Sequence, residues 1–275
     1  MSDFRPVVMS IAGSDSGAGA GIQADLKTIA ALGGYGVSAI AALTAQSGLG
    51  VFGVLPTSAD FLELQINTLL KGFPVAAIKT GMLFSSELIT VTAKLLGDSA
   101  VPLVIDPVSV AKGGQPLLEE SAVSALRRDL LPLATLITPN LPETEMLSGL
   151  TMQGHEQEPF IRECARRFAS AGIKAALVKG GHFPPQPGHG EEIIDWLLLP
   201  DQNPLPLPHP RVNTSHAHGT GCTLSAAIAT ELARGLDLVT AIRNAQGYIV
   251  RAMQEAYAPG LGIGPVNHFA GFRSI

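Results

Sequence analysis

The stretch Val7-Val-Met-Ser-Ile-Ala-Gly-Ser-Asp-Ser-Gly-Ala-Gly-Ala-Gly-Ile-Gln-Ala-Asp-Leu-Lys-Thr28 decides the fold. Val7–Ala12 is apolar almost throughout, as a strand buried on both faces of a parallel sheet must be. Glycines at 13, 17, 19 and 21 then turn the chain into a helix. There Ile22, Leu26, Ile29 and Ala30 share one face. Strand, glycine turn and helix make the first half of a βαβ unit.

The same pattern recurs outward from it. Apolar runs at Val37–Leu43, Val75–Ile78, Val101–Ile105, Leu133–Ile137 and Ala175–Val178 are each followed by a glycine or proline signal and a helical pattern. Ile161, Cys164, Ala165 and Phe168 mark one later helix. Thr220–Ala233 and Leu238–Ala256 read as two closing helices. The class is therefore α/β, a central, mostly parallel sheet covered by helices on both faces. From Pro184 to Pro210 prolines crowd around the run Ile193–Leu199, which predicts an edge hairpin. No compositional break or internal repeat divides the chain, so residues 1–275 are expected to form a single domain.

Composition excludes several function classes. Hydrophobic residues make up 46% of the 275 and charged residues 15%, against about 25% in an average soluble chain. That is not the composition of a disordered chain. With 18 Lys+Arg against 23 Asp+Glu the net charge is −5, which leaves no basic footprint for nucleic acid. Two distant cysteines fit a reducing compartment, the cytoplasm, and no secretory signal opens the sequence. Residues 28–59 carry no charge but contain no 18-residue apolar run, so a buried helix–strand–strand segment is expected there rather than a membrane span.

In such a sheet ligands sit beyond the carboxyl ends of the strands. After the first run, Gly19-Ala-Gly21-Ile-Gln-Ala24 fits the dinucleotide fingerprint, yet the acid wanted about 20 residues later is missing. The glycines exceed what a tight turn needs, which favours close approach of a ligand. No Gly-Lys dipeptide exists, so there is no Walker A loop. Of seven lysines, Lys79, Lys112 and Lys179 stand at strand ends beside glycines. Each either aims charge at phosphate or simply leaves the sheet for water. Asp106 and Glu143, at neighbouring strand ends, could hold hydrated Mg²⁺, though Glu143 also suits the first turn of a helix. His216, His218 and Cys222 match no standard zinc spacing. In His218-Gly-Thr-Gly-Cys222-Thr-Leu-Ser-Ala-Ala, glycines open an apolar helix whose N–H groups form a ready anion site. Cys222 stands at that helix start, where a thiol's pKa should fall. Cys164 reads as core.

Together these residues resemble the hydroxymethylpyrimidine/phosphomethylpyrimidine kinases of thiamine biosynthesis, in the ribokinase-like superfamily. The matching segments are Ile11–Thr28, Leu43-Thr-Ala-Gln46, Lys79-Thr-Gly-Met82, Asp106-Pro-Val108, Thr138-Pro-Asn-Leu-Pro-Glu143, Lys179-Gly-Gly-His182, His218–Cys222 and Gly262–His268. Ser109 and the His216-Ala-His218 approach depart from the family pattern.

The resemblance implies a three-layer α-β-α fold and ATP-dependent phosphorylation of a hydroxymethylpyrimidine to its monophosphate and then its diphosphate. It implies that Gln46 binds the aminopyrimidine in a pocket lined by Gly13, Ala20, Asp25, Met82 and Val108. Gly219, Thr220, Gly221 and Cys222 would form the catalytic anion hole, with Cys222 where related sugar kinases carry an aspartate base. Lys179, Gly180, Asp106 and Lys112 would lie at the ATP phosphates, and Asn140 and Glu143 at Mg²⁺. A monovalent cation and a homodimer also belong to that picture, with no nucleic-acid or membrane partner. Pyridoxal kinase, and a non-catalytic pyrimidine sensor, are the alternative readings.

Overall fold

Because β1 (Val7–Ala12) is apolar on both faces it must be covered on both, and all six of its residues are buried. The structure, a computed structural model, describes residues 5–108, 120–153, 156–184 and 191–270. β1 pairs in parallel with β2 (Tyr35–Ile40) on one side. β3 (Ala42–Ser47) and β4 (Gly50–Pro56) form a separate antiparallel hairpin. The chain then returns to the other side of β1 as β5 (Val75–Thr80). β6 (Leu103–Ile105), β7 (Leu136–Ile137) and β8 (Ala176–Val178) extend the sheet in parallel. β9 (Glu192–Leu198) and β10 (Leu205–Pro210) close it as an antiparallel hairpin, in the order β10-β9-β8-β7-β6-β5-β1-β2. The strand order reverses at β1, so a crevice opens beyond the carboxyl ends of β1 and β5.

Helices cover both faces. On one lie α2 (Ala59–Gly72), α3 (Ser86–Leu96), α4 (Glu120–Ala125), α5 (Leu141–Ser148) and α6 (Gln157–Ser170), joined through Leu62, Ile89, Leu147 and Phe160. On the other lie α1 (Gly21–Ala31), α7 (Thr220–Ala233) and α8 (Leu238–Gln254), joined through Ile29, Ile228 and Ile249. α7 is buried all round from Thr223 to Leu232, its small residues packing on every side while Ser225 and Thr230 bond back to carbonyls of the helix itself. Ser58, Ser85, Asn140 and Asp237 cap α2, α3, α5 and α8 with their side chains. α1 and α7, whose starts face the crevice, have no such cap. In α1 the Ile22 N–H goes to Gly13 O at 3.0 Å instead, and the first N–H groups of α7 face the crevice.

Two expectations need correction. The run Val37–Leu43 is not one strand: the Ala41 N–H gives the last bond to β1, at Ala12 O, and the chain then leaves the sheet for the hairpin. Nor is the uncharged segment buried to its end. Leu43, Leu49, Phe52 and Leu55 on the hairpin are exposed, Phe52 by 74%. The absence of charge there reflects an apolar surface, not core. The edge hairpin does form, and Pro206, Pro208 and Pro210 lie on the marginal strand β10, where missing donors do least harm.

Candidate active site

The loop after β1 is tied down at both ends. Gly13 N–H donates to Met82 O at 3.0 Å and Ser14 N–H to Ala42 O at 2.8 Å. Between them Asp15 turns its carboxylate inward, accepting from the N–H groups of Gly17, Gly19 and Ala20 at 2.8, 3.0 and 2.8 Å. His218 Nε2 approaches the same carboxylate at 2.8 Å, across 203 residues of sequence. Burial alone would raise the Asp15 pKa, but His218 and the backbone donors outweigh it and hold the group below the usual carboxylate range. A Cβ at Gly19 would collide with the His218 ring, and one at Gly219 (φ 81°) with Gly19 O. The two glycine segments therefore pass in direct contact. Part of the glycine surplus serves this packing rather than the approach of a ligand.

At the start of α7 the residues Gly219, Thr220, Gly221 and Cys222 are all partly open to solvent. The Gly21 N–H, first residue of α1, points at the Cys222 thiol, so two uncapped helix starts meet there. The expected fall in the Cys222 pKa does not occur. Loss of hydration pushes it up to about 11; Lys79 pulls it down, while Asp25 and Asp106 add to the rise. The thiol is protonated at neutral pH.

Lys79 neither reaches toward an open site nor leaves for water. It is completely buried, its Nζ 2.9 and 2.8 Å from the two carboxylate oxygens of Asp25, which also accepts from Ser10 Oγ at 2.6 Å. Burial works against the ammonium, yet Asp25 outweighs it and holds Lys79 above its ordinary range. Asp25 consequently has no exposed surface and stands behind the pocket wall, not on it.

Lys179 is arranged differently. Its Nζ lies 3.1 Å from Asp106 Oδ1 and 3.9 Å from Glu143 Oε2, and a Cβ on Gly221 would press on both Lys179 Nζ and Asp106 Oδ2 at 3.3 and 3.4 Å. Burial opposes its charge, but Asp106 and Glu143 together raise its pKa. Asn140 and Glu143 form a reciprocal capping box on α5, each side chain accepting the other's N–H at 2.9 and 2.8 Å. Glu143 thus starts the helix, as its first-turn position suggested, and its Oε2 also faces Lys179. Gly180 N–H donates to buried Asp195 at 2.7 Å, which fixes the turn after Lys179.

Of the pocket residues, Gly13 lies against Met82, and Ala20 against Asp15 and Gly219. Gln46 on β3 reaches the His218 ring at 3.3 Å. Val108 ends the described segment after Asp106; Lys112 and Ser109 fall outside the described residues. His216 accepts from Gly264 N–H, and among the described residues no three His, Cys, Asp or Glu side chains gather to hold a metal. Sequence reasoning missed Asp15 as the organiser of the loop. Its signal was an Asp between glycines, the residue that most readily folds back on its own backbone.

Residues 15–267 match the family described as phosphomethylpyrimidine kinase. The chain is 45% identical over 271 residues to the hydroxymethylpyrimidine/phosphomethylpyrimidine kinase of Haemophilus influenzae, covering 98% of each. Among solved structures, a phosphomethylpyrimidine kinase from Clostridium difficile superposes with a TM-score of 0.77 at 35% identity, covering 90% of this chain and 100% of that one. An ADP complex of Bacillus subtilis pyridoxal kinase superposes with a TM-score of 0.86 at 34% identity, covering 97% and 98%.

Proposed function

The chain belongs to the phosphomethylpyrimidine kinase family, and we propose that the crevice between the Gly13–Gly21 loop and the start of α7 is where it works. It is an ATP-dependent phosphotransferase of thiamine biosynthesis, phosphorylating 4-amino-5-hydroxymethyl-2-methylpyrimidine and then its monophosphate. The observation that carries the assignment of the site is the meeting of the uncapped starts of α1 and α7 at Cys222. Phosphoryl transfer is mainly positioning and charge stabilisation, and fixed N–H groups at a helix start supply the second.

In this reading the N–H groups of Thr220, Gly221 and Cys222, with Gly219 as their hinge, hold the oxygens of the phosphoryl group in flight. Lys179, placed by the Gly180 turn and beside Asp106, meets the ATP phosphates. Gln46 reads the pyrimidine edge, with Gly13, Ala20, Met82 and Val108 as walls. Asp25 acts from behind by keeping Lys79 charged near Cys222. The hydroxymethyl oxygen must lose a proton in the first transfer, and the minority thiolate of Cys222 takes it. The phosphate oxygen of the second transfer is already anionic.

Asp106, Glu143 and Asn140 offer hard oxygen donors, which suits Mg²⁺, an ion that keeps several waters and relies on one or two carboxylates plus substrate phosphates. Mg²⁺ would neutralise charge on the transferred group. The exposed apolar side chains of the β3–β4 hairpin, with Leu261 and Ile263 beside it through the Ile263–Gly48 bond, support a homodimer. Among the described residues no helix is long and apolar enough to cross a membrane. We place the enzyme, with its free Cys164 and Cys222, in the cytoplasm, as one kinase domain.

Likeness to a pyridoxal kinase makes pyridoxal the competing substrate. An amide at position 46 both donates and accepts, which matches an aminopyrimidine edge. Incubation with MgATP and either hydroxymethylpyrimidine or pyridoxal, followed by separation of mono- and diphosphates, tests the reading. Pyrimidine monophosphate and then diphosphate are expected. Faster turnover of pyridoxal, or a pyrimidine monophosphate that goes no further, would overturn it.

A further inference from the structure

Protons around Gln46 decide which way its amide faces. His218 Nε2 lies 2.8 Å from Asp15 Oδ2 and 3.3 Å from the nearer terminal atom of Gln46. The other terminal atom lies 3.2 Å from Thr44 Oγ1. An amide's oxygen and nitrogen share one shape, so the neighbours' protons settle which is which. Asp15 accepts from three backbone N–H groups and is ionised, hence acceptor only. His218 Nε2 must therefore carry its proton toward Asp15, and it has no lone pair for Gln46. The Gln46 atom facing the ring is the carbonyl oxygen. Thr44 agrees: its single hydroxyl proton goes to Ser14 O at 2.8 Å, which leaves Oγ1 to accept from the amide nitrogen. The Gln46 backbone is held as well, since Ser16 Oγ accepts from its N–H at 2.7 Å and donates to its carbonyl at 2.8 Å.

We propose that His218, oriented by Asp15, is a positioning residue that locks the Gln46 amide with its oxygen toward His218 and its nitrogen toward Thr44. The lock makes the pocket choose a ring edge that offers an amino group beside a ring nitrogen over one that offers an oxo group beside a ring N–H. This rests on the reading that Gln46 touches the pyrimidine. A freely turning amide serves either edge, because half a turn exchanges donor and acceptor. A locked amide sets oxygen against oxygen and N–H against N–H when the oxo ring enters. The ring cannot turn over to escape, since that would carry its hydroxymethyl group away from Cys222. Glycine at position 19 leaves room for the imidazole that does this.

The test is kcat/KM of the first phosphorylation for 4-amino-5-hydroxymethyl-2-methylpyrimidine and for its 4-oxo counterpart. Four proteins are compared: wild type, His218→Phe, His218→Gln and Gln46→Leu, each checked for folding by thermal melting. Wild type should prefer the amino compound by roughly tenfold or more, the scale of one mispaired buried polar edge. His218→Phe keeps a ring but loses the N–H edge that the amide nitrogen cannot face, and should erase most of that preference through KM for the pyrimidine, with KM for ATP unchanged. His218→Gln, whose terminal NH₂ can donate to both Asp15 and Gln46, should restore it. A preference unchanged in His218→Phe but lost in Gln46→Leu overturns the lock. A preference unchanged in Gln46→Leu overturns the underlying reading of Gln46. If His218→Phe does not fold, Thr44→Val removes the acceptor of the amide nitrogen. It must then lower the preference in the same direction, or the lock is wrong.

Discussion

Lys79 and Lys179 both follow apolar strand residues at the carboxyl ends of strands in one sheet, each with a glycine within two residues. From sequence they are interchangeable, yet their surroundings differ. Lys79 is sealed with a single carboxylate, Asp25, which it meets through both oxygens, and neither side chain has any exposed surface. Lys179 sits between two carboxylates, retains 15% of its side-chain surface, and lies close against the side-chain-free Gly221 at the start of α7. A closed pair with no remaining surface sets the field and holds the wall. An open cluster with one cation among two anions can exchange partners when a charged ligand arrives. The comparison separates a charge sealed behind a site from a charge left within reach of a ligand.

The largest expected effect breaks the closed pair. Lys79→Met leaves Asp25 charged or protonated in a sealed site and should lower unfolding free energy by about 3–5 kcal/mol. Urea unfolding measures it, and a loss under about 1 kcal/mol would mean the pair is not closed in solution. Lys179→Met should do the reverse, sparing most of the stability while lowering kcat with ATP by roughly 10²–10³-fold, the scale of losing one donor to the transferring group. Steady-state kinetics and melting of the same preparation check this; a protein that melts early but turns over normally would erase the contrast.

A smaller effect sharpens the comparison at the far end of the sheet. Asp195 accepts from Gly180, from Gln246 Nε2 at 2.8 Å and from His209 Nε2 at 3.2 Å, and so supports the turn that carries Lys179. Burial works against the His209 charge, but Asp195 raises its pKa above the ordinary histidine value. A raised folded-state pKa stabilises fully below about pH 6.5 and less as pH climbs through the folded value. His209→Gln should therefore lose about 1 kcal/mol at pH 6 and less at pH 8.5. Equal urea midpoint shifts at both pH values would show that His209 contributes no charge.

The parallel sheet, the glycine turn, the edge hairpin and the two closing helices were legible because each is written locally, in apolar runs and their punctuation. Three things were not. The departure of β3 from the sheet is hidden, since Val37–Leu43 stays apolar whether the chain remains in the sheet or leaves it. The pairing of Asp15 with His218 spans 203 residues, and no local pattern announces it. The fate of Lys79 depended on finding Asp25 one helix turn inside α1, a distance of 54 residues that only the packing of α1 on β1, the neighbour of β5, closes. The Cys222 expectation failed for a related reason. A helix start lowers a thiol's pKa, but loss of hydration and two neighbouring carboxylates raise it, and neither can be counted along the chain.

The central claim is that one site performs two transfers with Cys222 needed as a base only in the first, and single-turnover kinetics test it most directly. Wild type and Cys222→Ala are each mixed with ATP and either hydroxymethylpyrimidine or its monophosphate, from pH 7 to pH 9.5. With the Cys222 pKa pushed up to about 11, the thiolate fraction rises with pH throughout that range. The first transfer in wild type should climb with it, and the second should stay nearly flat. Cys222→Ala should lower the first transfer by roughly 10²-fold or more and remove its pH slope, while the second loses far less. Equal losses in both transfers, or a first transfer in wild type that ignores pH, would contradict the account.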